Sequence, residues 1–266
     1  QVHGLAHVSM SFRTATTMRT CAAVLAFTVW LVVAQHPPHP LAGLEKKRIR
    51  IACVGDSITQ GRPFGTPWPN QLQEMLGSEY HVLNFGSTSK YVQKKSSLGL
   101  RLFIGRGIVS YWNTTTFEYA TASKPDIVMI ALGTNDGRKW MWNDEVAKEF
   151  EDDYKSLLLH FRGLETRPRV IAMLPPPLYL DGALLGMSQT IINEAIPSII
   201  RRVVMDVGLD DPVDVRGAFT EHCPDLTQNN CSLIWSRWVI PDGCHPNSDG
   251  LRVIAELVKA AITGPA

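Results

Sequence analysis

Between Asp126 and Leu132 the chain reads Asp-Ile-Val-Met-Ile-Ala-Leu, with six apolar residues in succession and no polar alternation. A strand covered on one face alternates apolar and polar side chains, so an unbroken run requires cover on both faces. This run therefore belongs in the middle of a parallel sheet with helices above and below it. The rest of the chain agrees. Residues 48–54, 81–85, 169–174 and 213–215 are further strand-like runs. Apolar residues at helical spacing separate them over 68–76, 144–161, 191–207 and 248–262. Pro197 falls inside the third of these helices and predicts a kink or a break there. Alternation of this kind builds a three-layer α/β/α domain of flavodoxin-like type, its central parallel sheet having about five strands.

The 266 residues suffice for one such domain with a full core. A net charge of +1 gives no electrostatic reason to expect nucleic acid or an anionic membrane as partner. The basic cluster Lys46-Lys47-Arg48 reads as a solvated lead-in to the first strand. Residues 1–17 read as upstream or fragment sequence. From Met18, a single Arg19 precedes an apolar run over 21–34 that closes in Val32-Val33-Ala34, the layout of a secretory signal peptide over 18–34. That run is shorter than the roughly 20 residues of a spanning helix, and an uncleaved signal anchor is the alternative. Residues 35–47, rich in Pro and His, read as a flexible lead-in, and 48–264 as the globular domain. The expected location is extracellular, with no stable membrane partner.

Secretion gives the cysteines a meaning. Cys21 lies in the expected leader. Cys53 sits in a buried-strand pattern and reads as a free core thiol. One bridge is expected among Cys223, Cys231 and Cys244, with Cys223–Cys231 and Cys231–Cys244 both open. The spacings of Cys and His give no paired metal-ligand motif, so neither a metal nor another cofactor is expected. Asn113 and Asn230 head acceptor sequons for glycosylation.

Right-handed crossovers put the strand C-termini on one edge of the sheet, where ligands bind in open α/β folds. Three short blocks fall there: Gly55-Asp56-Ser57, then Gly86, then Gly133-Thr134-Asn135-Asp136. A fourth, Asp242-Gly243-Cys244-His245, lies near the end of the chain. Taken singly each block is good turn or cap chemistry. Taken together they supply the parts of nucleophilic acyl transfer. Ser57 is the candidate nucleophile, His245 the base that takes its proton, and Asp242 the group that holds the imidazole, on a shared loop. The backbone N–H groups of Ser57 and Gly86 and the side-chain amide of Asn135 are candidate oxyanion donors. Asp56, Asp136 and Trp140 are candidate substrate contacts, with Asp136 read first as a group that hydrogen-bonds the turn backbone and positions Asn135. Trp68, Trp112 and Trp142 are further aromatic faces near these blocks, suited either to a sugar ring or to covering the core.

This order of blocks resembles the SGNH, or GDSL-type, hydrolase superfamily, across residues 48–262. Ile58 stands where that pattern commonly has Leu. Within the superfamily the chain looks most like secreted carbohydrate esterases of the sialate O-acetylesterase and acetylxylan esterase type. The stretches that carry this are 51–59, 82–86, 125–136, Met173-Leu174-Pro175-Pro176-Pro177 and 241–247. The resemblance implies removal of small acyl groups, acetyl above all, from a small-molecule or polysaccharide ester. A GDSL-type lipase or lysophospholipase is one alternative; no amphipathic lid segment is evident, but the apolar stretch 98–110 keeps this reading open. A non-catalytic carbohydrate-binding protein on the same fold is the other.

Overall fold

The computed structural model describes residues 47–95, 109–227, 231–236 and 241–264. The expected leader, most of the lead-in, the stretch 98–108 and Asn230 lie outside the described residues. Strand β1 (Ile49–Gly55) pairs in parallel with β2 (Tyr80–Gly86) on one side and β3 (Ile127–Ala131) on the other. Strand β4 (Arg169–Ala172) pairs with β3, giving the order β2-β1-β3-β4. Among the described residues the sheet thus has four strands where about five were expected. The run at 213–215 contracts to one parallel bridge between Met173 and Val213. Its shortness has a local cause: Asp214 accepts the Gly217 N–H at 2.8 Å and opens a helix at Val215.

The alternation of side chains along each strand splits the core in two. Ala52, Val54, Val128 and Ile130 face one cluster, which includes Phe150, Tyr154, Leu157, Ile200 and Val203. Ile51, Cys53, Met129 and Ile171 face the other, with Trp68, Leu72, Phe219, Leu251 and Val258. These are the two layers that the apolar run at 127–132 demanded. Helix α1 (Ser57–Gln60) follows β1, and α2 (Trp68–Leu76) leads to β2. Helix α3 (Thr115–Ala122) precedes β3, and α4 (Asp144–Arg162) joins it to β4. Helix α4 has Asn143 capping the Val146 N–H, acidic residues in its first turn and His160 and Arg162 in its last, the charge order its dipole favours.

After the short helix α5 (Ala183–Gly186), a π-helical turn over Ile191–Ala195 runs into α6 (Ile196–Asp206). Pro197 lies in the first turn of α6, just past the π-helical turn, so the expected kink or break appears as a change of helix type within one continuous run. Helix α7 (Val215–His222) leads to a two-stranded antiparallel sheet of β5 (Ile234–Ser236) and β6 (Pro241–Pro246). Helix α8 (Ser248–Thr263) closes the domain, its N-terminus capped by Asn247.

Trp68 is wholly buried, and Trp112 and Trp142 pack on the first cluster, so these three cover the core. Asn113 is exposed at the end of a short 3-10 turn. Among the described residues no helix is long and apolar enough to cross a membrane. Cys223 and Cys231 form a disulfide, which resolves the two open pairings, and Cys53 and Cys244 are buried free thiols.

A bridge across a separation of 8 residues removes chain entropy from the unfolded state worth about 2–3 kcal/mol. Replacing Cys223 and Cys231 together by Ser is expected to lower Tm by roughly 4–10 °C under non-reducing conditions. An unchanged Tm in thermal unfolding would show that this pair does not form.

Candidate active site

Parallel register sets Gly55 beside Gly86 and beside Ala131, so the turns after β1, β2 and β3 lie next to one another. Ser57 opens α1 directly after β1. Asp56 makes that possible by accepting the Ile58 N–H at 2.9 Å, and Gly61 ends the helix in the left-handed region. The Ser57 hydroxyl is almost fully buried and lies 2.8 Å from His245 Nε2. On the other side of the ring, His245 Nδ1 is 2.6 Å from Asp242 Oδ2. Asp242 Oδ1 accepts the backbone N–H groups of Cys244 and His245 at 2.8 and 2.7 Å. Gly243, at φ 61°, supplies the turn between them.

Asp242 and His245 were expected on a loop. They lie instead on β6, which pairs with β5 through an irregular register. Phe64 stacks on the His245 ring at 3.7 Å between centroids and 10° between planes. Nothing in the sequence marked Phe64, since it sits in the aperiodic connection between α1 and α2. The stack and the Asp242 bond together fix both the plane and the rotation of the imidazole.

A cleft of about 140 Å³ opens over these atoms. Ser57, His245 and Asn135 line it together with Phe64, Thr88, Ser89, Arg138, Leu184 and Met187. Asn135 sits on a 3-10 turn after β3, and its Nδ2 is 3.4 Å from Asp56 Oδ2.

Gly86 departs from its expected place. Its N–H donates to Asn84 Oδ1 at 2.9 Å and is not free for substrate. The glycine is required for a different reason, because a Cβ there would lie 2.1 Å from the Gln60 backbone nitrogen. The residues of this turn that reach the cleft are Thr88 and Ser89, the latter held at φ 61°. A positive φ on a non-glycine residue beside a cleft was the one signal that could have found it, and it is invisible in the sequence.

Asp56 and Asp136 lie beneath the cleft, not on its wall. Asp136 is wholly buried and accepts the Val92 N–H at 2.9 Å. Burial raises it to about 8, against the opposing pull of the Val92 and Gln93 N–H groups, and the nearby Asp56 charge adds to the rise. Burial likewise raises Asp56 to about 6, opposed by the Ile58 N–H and the His245 charge. Arg138, 3% exposed, donates through Nη1 to the Asn135 carbonyl, and its Nε is buried without a partner. Trp140 is 48% exposed and lies over Gly186, on the segment that also carries Leu184 and Met187.

Asp242, Cys244 and His245 hold ligand-type atoms within 4.8 Å of one another. Their chemistry suits a proton relay better than a metal. Asp242 already spends both oxygens on hydrogen bonds, and burial, then Asp242 and Asp56, push the Cys244 thiol well above its ordinary range.

The buried carboxyls give stability a defined pH slope. Asp136 moves from 3.8 in the open chain to about 8, so the folded state binds more protons across that window and stability falls as pH rises through it. The replacement Asp136→Asn cannot ionise. Tm measured from about pH 5 to about pH 8.5 is expected to decline in the parent chain and to decline less steeply in the variant. Equal slopes would show that Asp136 is ionised throughout.

A model of the GDSL-like lipase/acylhydrolase family matches residues 53–253. An acetylxylan esterase of Xylanibacter ruminicola is 28% identical over 80% of this chain and 43% of its own length, so this chain spans less than half of that relative. Among solved structures, the acetyl xylan esterase AlAXEase aligns with a TM-score of 0.57 and 21% identity, over 80% of this chain and 100% of that one. Est24, a carbohydrate acetylesterase from Sinorhizobium meliloti, aligns with a TM-score of 0.57 and 18% identity, over 81% and 98%. These structural likenesses speak for the α/β/α fold. The match to the family model, over most of the domain, carries more: the chain belongs to the GDSL-like lipase/acylhydrolase family.

Proposed function

We propose that this chain is a serine esterase that removes short acyl groups, acetyl above all, from hydroxyls of carbohydrate. The observation that carries the reading is the unbroken hydrogen-bond chain from Ser57 through His245 to Asp242, at 2.8 and 2.6 Å, opening on a cleft. In this reading Ser57 Oγ attacks the ester carbonyl while His245 Nε2 takes its proton. Asp242 holds the tautomer with Nδ1 protonated and stabilises the imidazolium. The charged oxygen of the tetrahedral intermediate is met by the Ser57 N–H and Asn135 Nδ2, with the Ser89 N–H in the place first assigned to Gly86. His245 then protonates the leaving alcohol, and a water activated the same way releases the acid and frees Ser57.

The acetyl preference is supported by two findings. The cleft is small and walled by Phe64, Leu184 and Met187. The acetylxylan esterase and carbohydrate acetylesterases to which the chain is similar act on acetyl esters by name. The sugar preference draws on the same names and on exposed Trp140, an aromatic face of the kind that stacks on a pyranose ring.

Hydrolysis of p-nitrophenyl acetate beside p-nitrophenyl palmitate, with Ser57→Ala as control, tests both parts. Acetate turnover is expected to exceed palmitate turnover, and Ser57→Ala to lose at least about 10³-fold in kcat with its fold intact by circular dichroism. A preference for palmitate would move the chain to the lipase reading. Turnover that survives Ser57→Ala would overturn the site.

A further inference from the structure

Asp56 has no role in the mechanism above, yet its carboxylate is 1% exposed and sits between two parts of the machinery. Oδ1 caps α1 through the Ile58 N–H at 2.9 Å, which places Ser57. Oδ2 faces Asn135 Nδ2 at 3.4 Å. The groups around it are the His245 ring, the Asp136 and Cys244 side chains and the Thr134 hydroxyl.

A side-chain amide has two ends of opposite character. Its NH2 attracts a developing oxyanion, whereas its carbonyl oxygen repels one. Rotation by half a turn about the last side-chain bond exchanges them at almost no steric cost. The Asn135 backbone is fixed independently, because Arg138 Nη1 donates to its carbonyl oxygen. What remains open is the direction of the amide, and an ionised carboxylate can only accept hydrogen bonds. We propose that Asp56 is a positioning residue that sets the direction of the Asn135 amide, so that one Nδ2 hydrogen goes to Asp56 and the other to the cleft. The flipped amide would set its own oxygen against Asp56 Oδ2. The 3.4 Å separation is long, as expected of a catalytic contact that tightens only when substrate charge develops. This inference rests on the reading of Asn135 as an oxyanion donor.

Two substitutions isolate the effect. Asp56→Asn keeps the shape and a cap oxygen, but removes the charge that decides the flip. Asp56→Ser keeps a cap acceptor and is too short to reach Asn135. On p-nitrophenyl acetate, each is expected to lower kcat and kcat/KM together by roughly 10- to 100-fold, with KM within about threefold, because the lost interaction belongs to the transition state. The deciding measurement is a double-mutant cycle. In an Asn135→Ala background, Asp56→Asn is expected to cost less than about threefold, since the group it acts through is gone. Rates are counted per active site titrated with a fluorophosphonate, so that only folded protein contributes. A cycle in which the two losses multiply would overturn the inference, as would wild-type turnover in Asp56→Asn. Failure of both variants to fold would overturn it too, because the role of Asp56 would then lie in stability. Loss of activity in Ser57→Ala beside wild-type rates in Asp56→Asn would sink this inference alone. Retention of activity in Ser57→Ala would sink the site reading beneath it.

Discussion

Parallel pairing puts Gly55, Gly86 and Ala131 at one level of the sheet, and the site depends on that alignment. Strands that run the same way end on the same edge, so three turns from distant parts of the chain become neighbours. The turns after β1, β2 and β3 bring Ser57, Ser89 and Asn135 to one cleft. His245 comes from 188 residues beyond Ser57, on β6. It reaches Ser57 because β6 is paired to β5 and followed by α8, whose Leu251, Ile254 and Val258 pack with Trp68 and Leu72 of α2. Ser57 and His245 therefore meet only once the outer helical layer has closed on the sheet. Packing and chemistry are joined at that contact, and a fault in the second core cluster would be felt first at the distance between Ser57 and His245.

At and beneath the cleft floor the protein buries Arg138, Asp56 and Asp136. Burying charge is unfavourable unless each group finds partners. The chain provides them from its own backbone: Ile58 and Val92 N–H groups for the two carboxyls, and the Asn135 carbonyl for the guanidinium. Together with the Asn135–Asp56 contact, the Val92–Asp136 bond ties three sequence-distant segments to one another just below Ser57 and His245. The compensation is incomplete, as the raised carboxyls and the unpartnered Arg138 Nε attest. Such residual strain is tolerable where it confers rigidity. Asp242 is the contrast. It accepts two backbone N–H bonds and the imidazole bond within its own turn, so its charge is held locally and needs nothing from the sheet.

The layers, the boundaries of the four helices read from apolar spacing and the order of the four blocks were legible in the sequence because each depends on local pattern. Six consecutive apolar residues admit few placements, and helix α4 carries its cap and its dipole charges in its own residues. The departures share a physical cause. Whether 213–215 extends into a strand depends on Asp214 competing for the backbone, which pattern alone does not weigh. Gly86 signalled a close backbone approach, and one exists, but the approach is to Gln60 and not to substrate. Asp56 and Asp136 sit in the right blocks, yet the sheet turns their side chains down, away from the cleft. Phe64, Ser89 and Arg138 reach the site through tertiary placement of aperiodic segments. No spacing rule applies to them.

The site accordingly divides into two parts with different origins. Ser57, Asn135, Asp242 and His245 are fixed by strand ends, a helix start and a tight turn, elements whose geometry the fold cannot vary without losing its core. The cleft wall facing solvent is built from connections instead: Thr88 and Ser89 after β2, and Leu184 and Met187 on the segment tied to Arg138 by an antiparallel bridge. Connections tolerate exchange far better than sheet edges do. In such an arrangement the wall can be remodelled for a different acyl group or a different alcohol while the Ser57–His245–Asp242 chain stays in place. Under the proposed esterase reading, an acyl preference would be set by Leu184, Met187 and Phe64, and the choice of alcohol farther out, where Trp140 stands exposed. Phe64 couples the two parts, since the ring that narrows the cleft is also the ring stacked on His245. A substitution that widens the cleft at that position therefore loosens the base as well, whereas widening at Leu184 or Met187 leaves the stack on His245 in place.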